Sequence, residues 1–328
     1  MEPAATPPDG LDAGMRAAFG EAPSPRPSLL HVLQRMTGSR LDLHLRGNDE
    51  SDAPVKIDDE AKALRDPSGR YQVLGEIGRG GVGVVYKGRD QDLGRDVAMK
   101  VLRPEYASRP EILERFIEEA QIGGQLQHPG IVPVYELGLQ HGERPYFAMK
   151  LVKGETLAVL LGRRTSPADD RRRFLAVFEQ ICQTLAYAHA RNVVHRDLKP
   201  ANVMIGSFGE VQVVDWGFAK VLQAGRGSRD AKAAAPAASV IATVRSDPAR
   251  GSQSVAGSML GTPAYMPPEQ ALGDVENLDE RSDVFGLGAI LCEILTGRPP
   301  YLEADGDLIL QAARADMSPI HARLAQSG

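Results

Sequence analysis

His195-Arg196-Asp197-Leu198-Lys199-Pro200-Ala201-Asn202 is the stretch on which the reading of this chain turns. Asp197 can accept a proton from a hydroxyl, Lys199 can neutralise a transferring phosphoryl group, and Asn202 can hold a metal ion through its side-chain oxygen. A polar loop capping a helix is the bland alternative, so the flanking sequence decides. Downstream, the strand-like run Val211–Val214 leads into Asp215-Trp216-Gly217, and an Asp at a strand end just before a glycine suits a magnesium ligand.

Upstream, Gly78-Arg79-Gly80-Gly81-Val82-Gly83-Val84-Val85 fits G-x-G-x-x-G-x-V. Glycines let the backbone turn tightly between two strands and close over phosphates. Glycine-rich hairpins are common, so the motif alone is weak. A dinucleotide-binding fold would need a helix after the glycines; a strand follows here. Val97-Ala98-Met99-Lys100 ends a third strand with an ammonium that could reach nucleotide phosphates. That ammonium needs an anion. Glu119 on the next helix is the candidate, because it lies on the side of Ile112 and Phe116 and faces inward, and Glu118 is its rival. Gly261-Thr262-Pro263-Ala264-Tyr265-Met266-Pro267-Pro268-Glu269 then precedes Asp283 and an apolar helix.

Together these segments resemble the signature set of protein kinases. The likeness is strongest to bacterial serine/threonine kinases of eukaryotic type, with His128-Pro129 and Thr296-Gly297-Arg298-Pro299-Pro300 also in place, and it runs from about Tyr71 to Tyr301. The resemblance implies an α+β, two-lobed fold: a small antiparallel sheet with one main helix, then a mostly helical large lobe. It implies ATP with magnesium, or manganese, as cofactors, and serine or threonine hydroxyls of proteins as acceptors. By the same resemblance Ile77, Gly78, Arg79, Gly80, Gly81, Val82, Gly83 and Val85 would cover the nucleotide, and Lys100, paired with Glu119, would contact its phosphates. Met149 would guard an adenine pocket lined by Ala98 and Met204, with backbone bonds from Lys150 and Val152. Asp197 would be the catalytic base, Lys199 would sit by the γ-phosphate, and Asn202 and Asp215 would hold the metal. Arg196 would answer to an activation-loop phosphate, and Trp216, Thr262 and Glu269 would complete the regulatory and substrate-seating parts.

The sequence departs from the family at Trp216, usually Phe, and at Pro267, usually Ala. Its last helices are expected beyond Gly328, which would leave Glu269 without its arginine and part of the apolar face of residues 284–295 without cover. A nucleotide-binding pseudokinase or scaffold is the alternative function, and a small-molecule phosphotransferase a third. The intact Lys100, Asp197, Asn202 and Asp215 argue for the active kinase.

Organisation and composition fit that reading. Residues 1–70 read as an N-terminal region rich in Pro, Ala, Asp and Gly, with a short helix over Ser28–Met36 and an acidic linker. The kinase-like region runs over 71–328, with a small lobe over 71–153, a large lobe over 154–328 and a mobile insertion over 223–257. Charged residues make up 25% and the net charge is −5, which gives no sign of a nucleic-acid or membrane partner. The longest apolar run, Phe285–Leu295, is too short to span a bilayer, although a span beyond Gly328 stays open. The two cysteines, Cys182 and Cys292, read as buried thiols in a reducing, cytoplasmic setting, and Arg171–Arg173 as a solvated helix start.

Overall fold

In the computed structural model the described residues are Lys56, 69–140, 144–222, Ile241, Thr243, 261–274 and 277–327. The expected helix at Ser28–Met36, the acidic linker and, apart from Ile241 and Thr243, the insertion at 223–257 lie outside them. The chain divides into two units. One takes residues up to Ala120 together with Pro133–Lys153, the other Gln121–Val132 and everything from Gly154.

The first unit is built on a five-stranded antiparallel sheet of β1 (Tyr71–Arg79), β2 (Gly83–Asp90), β3 (Arg95–Leu102), β4 (Val134–Gln140) and β5 (Arg144–Lys150), in the order β1-β2-β3-β5-β4. Central β3 reads as a continuous apolar run, and Val97–Leu102 is buried throughout. Its core joins Val84, Tyr86, Val97, Met99, Val101 and Tyr146. Fully burying each aliphatic or aromatic side chain contributes roughly 1.5–3 kcal/mol. Gly88 on β2 is dictated by this packing, since a Cβ there would lie 2.7 Å from the Met99 sulfur.

Edge strand β1 runs on through Gly78 to Arg79, past the point where the glycine density suggested that a turn begins. It bends instead, with register shifts at Val73/Gly75 and Glu76/Gly78. Lys56 adds one antiparallel bridge on its outer side, and the N–H groups of Lys56 and Glu76 each donate to the other's carbonyl at 3.0 and 2.8 Å. Helix α1 (Pro110–Gln125) opens with Pro110 and Glu111, favourable at a helix N-terminus. Its buried stripe is Leu113, Phe116, Ile117 and Ala120.

The second unit is mainly helical, and from Gly154 its chain runs first through a short strand, β6 (Gly154–Thr156). Next come α2 (Leu157–Gly162), α3 (Arg171–His189), β7 (Val193–Val194), β8 (Val203–Gly206), β9 (Val211–Val213) and β10 (Lys220–Val221). After these lie α4 (Pro268–Ala271), α5 (Glu280–Thr296), α6 (Leu308–Arg314) and α7 (Ser318–Gln326). Helix α3 buries Phe174, Val177, Ile181, Leu185 and Ala188 at helical spacing, in one core with Ile290 and Ile294 of α5 and with β8 and β9. The Asp279 side chain accepts the Arg281 N–H at the start of α5, and Gly297 ends the helix at φ +76°. The Arg164 guanidinium caps that end by donating to the carbonyls of Glu293 and Ile294 at 3.1 and 2.8 Å.

Two expectations need correction. Only Cys292 is buried; Cys182 is partly exposed, though both are free thiols. Arg172 and Arg173 face solvent, whereas Arg171 is half-buried and donates to the Ser327 carbonyl at 3.1 Å. The α5 face is partly covered: Cys292 packs with Ala312 of α6 and Ile320 of α7, while Val284 remains 57% exposed.

Candidate active site

The first unit brings together a glycine turn and a buried ion pair. Antiparallel register sets Lys100 of β3 opposite Val85 on one side and Phe147 on the other. Its ammonium reaches both carboxylate oxygens of Glu119, at 2.6 and 2.8 Å, and both residues are buried. Glu118 is buried as well, but the carboxylate on Lys100 is that of Glu119. Between β1 and β2 the Gly80 N–H donates to the Gly83 carbonyl at 2.9 Å. A Cβ on Gly83 would lie 3.3 Å from the Lys100 side chain and 3.2 Å from the Val101 carbonyl, so a side chain there would crowd Lys100 by a few tenths of an ångström. Gly78 and Arg79 end β1, Gly81 and Val82 form the bend, and Ile77 and Val85 are half-buried beside it. Ala98 is buried on β3, while Met149, Lys150 and Val152 are half-buried at and just after the end of β5. The Lys150 N–H already donates to the Pro133 carbonyl at 3.1 Å, so of the two backbone groups of Lys150 the N–H is taken.

The second unit gathers the polar groups. A short turn over Pro200–Asn202 folds Asn202 back toward Asp197, whose backbone carbonyl and Oδ2 accept from its amide at 2.8 and 3.1 Å. The Lys199 ammonium donates to Asp197 Oδ2 and to the Thr262 hydroxyl, both at 2.7 Å, and that hydroxyl donates to Asp197 Oδ1 at 3.2 Å. Thr262 thus meets Asp197 from 65 positions away. Asn202 is also tied to the segment that leads from β9 to Asp215, because its carbonyl accepts the Val214 N–H at 2.9 Å. The Asn202 amide nitrogen is committed to Asp197, so its side-chain oxygen is the atom that could ligate a metal, and Asp215 is exposed at φ +62°. Two hard oxygen groups of this kind suit a divalent cation such as magnesium. Met204 lies on β8, next to this turn.

The loop that carries these groups is anchored from below. Asp283, in the first turn of α5, accepts the backbone N–H groups of His195 and Arg196 at 2.8 Å each, and His189 Nε2 lies 2.8 Å from the same carboxylate. Arg196, at φ +68°, gives its guanidinium to the carbonyls of Phe218 and Ala219 at 2.5 and 3.4 Å. Trp216 is buried edge-on to His195, ring centroids 4.7 Å apart, and its indole N–H donates to the Val213 carbonyl at 3.2 Å. Gln270 donates to the Arg196 carbonyl at 3.0 Å, and Gly261, at φ +120°, leaves room for that side chain. Glu269, expected to lack its arginine, accepts the Ser282 hydroxyl at 2.7 Å. The Tyr265 hydroxyl donates to Glu293 at 2.7 Å. Burial pushes the Glu293 carboxyl above its ordinary range, and burial with that carboxyl beside it holds the Tyr265 phenol protonated.

Asp283, His189, Gln270 and the Tyr265–Glu293 pair were given no role from sequence. Asp283 alone carried a signal, as a carboxylate at the head of a strongly apolar helix.

The model of the protein kinase domain family matches residues 71–326. Among curated proteins, the serine/threonine-protein kinase PknD of Chlamydia muridarum is 36% identical over 246 residues, 72% of this chain and 26% of that protein. PknB of Mycolicibacterium smegmatis is 40% identical over 239 residues, 72% of this chain and 34% of PknB. PknB of Mycobacterium tuberculosis is 38% identical over 261 residues, 78% of this chain and 37% of PknB. The chain therefore spans about a quarter to two fifths of the length of these relatives.

Proposed function

The chain belongs to the protein kinase domain family, and from this premise we propose that it transfers the γ-phosphoryl group of ATP to serine or threonine hydroxyls of protein substrates in a signalling role. The observation that carries the reading is Asp197, whose carboxylate is held by Lys199, Thr262 and Asn202 in one network. ATP and a divalent metal are general to the family, and the oxygen donors of Asn202 and Asp215 favour magnesium. The metal would neutralise charge on the phosphates.

This chain's own groups divide the remaining work. Gly78, Gly80 and Gly83 let the turn lie over the phosphates, with Ile77, Arg79, Gly81, Val82 and Val85 flanking them. Lys100 contacts the α- and β-phosphates and is aimed by Glu119. Ala98, Met149, Val152, Met204 and the Lys150 carbonyl receive adenine. Asp197 orients the acceptor hydroxyl and takes its proton as the oxygen–phosphorus bond forms and ADP departs. Lys199 steadies the transferring group, so catalysis is mainly positioning and charge neutralisation.

Lys199 two positions after Asp197, bonded to Thr262, supports serine and threonine over tyrosine as acceptors. The Lys100–Glu119 pair speaks against a pseudokinase. Arg196 is assigned to an activation-loop phosphate, which would replace the carbonyls it now holds. Among the described residues no helix is long and apolar enough to cross a membrane; the free thiols support a cytoplasmic location. Incubation with γ-labelled ATP, magnesium and a basic acceptor protein should give phosphoserine and phosphothreonine. Nucleotide binding without any transfer would leave the pseudokinase reading standing.

A further inference from the structure

We propose that Arg103 is a positioning residue that fixes the orientation of the glycine turn toward the phosphates of a nucleotide; this rests on the reading of that turn given above. Arg103 directly follows β3, three positions after Lys100. Its backbone N–H donates to the Val82 carbonyl at 3.0 Å, and its guanidinium donates to the Gly81 carbonyl at 3.1 Å. One residue thus holds two successive carbonyls of the turn. The guanidinium is itself held: Glu105 pairs with it, and the Tyr106 ring centroid lies 5.6 Å from it.

The consequence follows from peptide geometry. A trans peptide is planar, with its N–H opposite its carbonyl. Turning the carbonyls of Gly81 and Val82 toward Arg103 therefore turns the N–H groups of Val82 and Gly83 the other way. Successive backbone N–H groups presented together are what an anion binds. Glycine makes this orientation easy to lose. A Cβ at Gly81 would meet nothing within 4 Å, so the turn borders open space at that position. Without Arg103 the turn spends part of its time with these N–H groups misdirected, and apparent affinity falls in proportion to the competent fraction.

The test is calorimetric titration of the full chain, with magnesium, using ATP and adenosine in turn. We expect Arg103→Ala to weaken ATP binding about five- to tenfold, the range one lost hydrogen bond spans. Adenosine affinity should stay within about twofold, because the turn meets only phosphates. The KM for ATP should rise by the same factor with kcat within about twofold, a split that general loss of structure would not produce. Arg103→Gln keeps an amide donor without the charge and should retain part of the ATP affinity. Gln as poor as Ala would mean that the charge alone attracts the anion, and would overturn the proposal. Unchanged ATP affinity in Arg103→Ala would overturn it as well. A wild-type chain that binds ATP no more tightly than adenosine would remove the reading of the turn, and the proposal with it. Wild-type preference for ATP retained in full by Arg103→Ala would remove only the role of Arg103.

Discussion

Asp197 and Asp215 are two carboxylates with different surroundings. Asp197 is buried among the ammonium, hydroxyl and amide donors of Lys199, Thr262 and Asn202, whereas Asp215 is exposed at a left-handed backbone position. Their replacements should therefore fail differently. Asp197→Asn should lower kcat by about 10²- to 10⁴-fold, the usual contribution of a general base, with ATP affinity within about twofold. Asp215→Asn should also weaken the metal-dependent binding of ATP, and equal affinity losses in the two variants would contradict the roles. Lys100 and Glu119 form a buried pair, so Glu119→Ala strands a buried ammonium at a cost of about 3–5 kcal/mol. Turnover should collapse, and a chemical denaturation midpoint equal to wild type would contradict the pairing. For Glu293 burial raises the folded-state pKa above the unfolded value. The folded state then binds more protons, so the associated stability is present at low pH and is lost as pH rises through the raised pKa. Glu293→Gln should remove that loss, and its melting temperature should gain on wild type between about pH 4 and 7. A constant difference across that range would contradict the assignment. The motif residues were legible in sequence because each carries its chemistry in its type and spacing. Asp283 was not, because its work is to hold backbone N–H groups 87 and 88 positions away, and spacing along the chain does not encode that distance.

Strands and helices were legible where apolar period and capping agreed. The apolar run of β3, the stripe of α1 and the capped, strongly apolar α5 were each visible as patterns. What failed was local. Glycine density suggested that β1 stops early, yet bulges let an edge strand run through glycines. The three residues of β6 are too short to show a period; pairing with β8 makes them a strand. Helix α1 holds one further unusual feature, glycines at 123 and 124, each costing about 1 kcal/mol relative to alanine. Gly123 is buried, and its neighbour Ile122 shares a core with Trp216. The expectation is that Gly123 makes room for an indole where the family usually has Phe. Gly123→Leu alone should overpack the site by about 1–3 kcal/mol and reduce activity, and adding Trp216→Phe should restore it. A double-mutant cycle with strictly additive effects would mean the two positions do not touch.

Taken whole, the chain sets two units of unlike construction in one sequence, a sheet with one helix carrying the glycine turn and the Lys100–Glu119 pair, and a mainly helical body carrying Asp197, Asn202 and Asp215. Residues 223–257 separate Asp215 from Thr262 and contain Ser252 and Ser254, with Ser258 just beyond. Autophosphorylation is expected at these C-terminal serines, supplying the anion for Arg196. Phosphopeptide mapping after incubation with ATP should find sites there, and none in a Lys100→Met variant. Sites confined to the first 70 residues would refute this. Trp216 has a consequence of another kind. It is the only tryptophan among 328 residues, and it is buried next to Asp215 and His195. The protein's intrinsic fluorescence therefore has a single address. Its emission should be blue-shifted and poorly quenched by acrylamide while the indole stays on Val213, and any rearrangement of the Asp215 segment should redden it without a label being introduced.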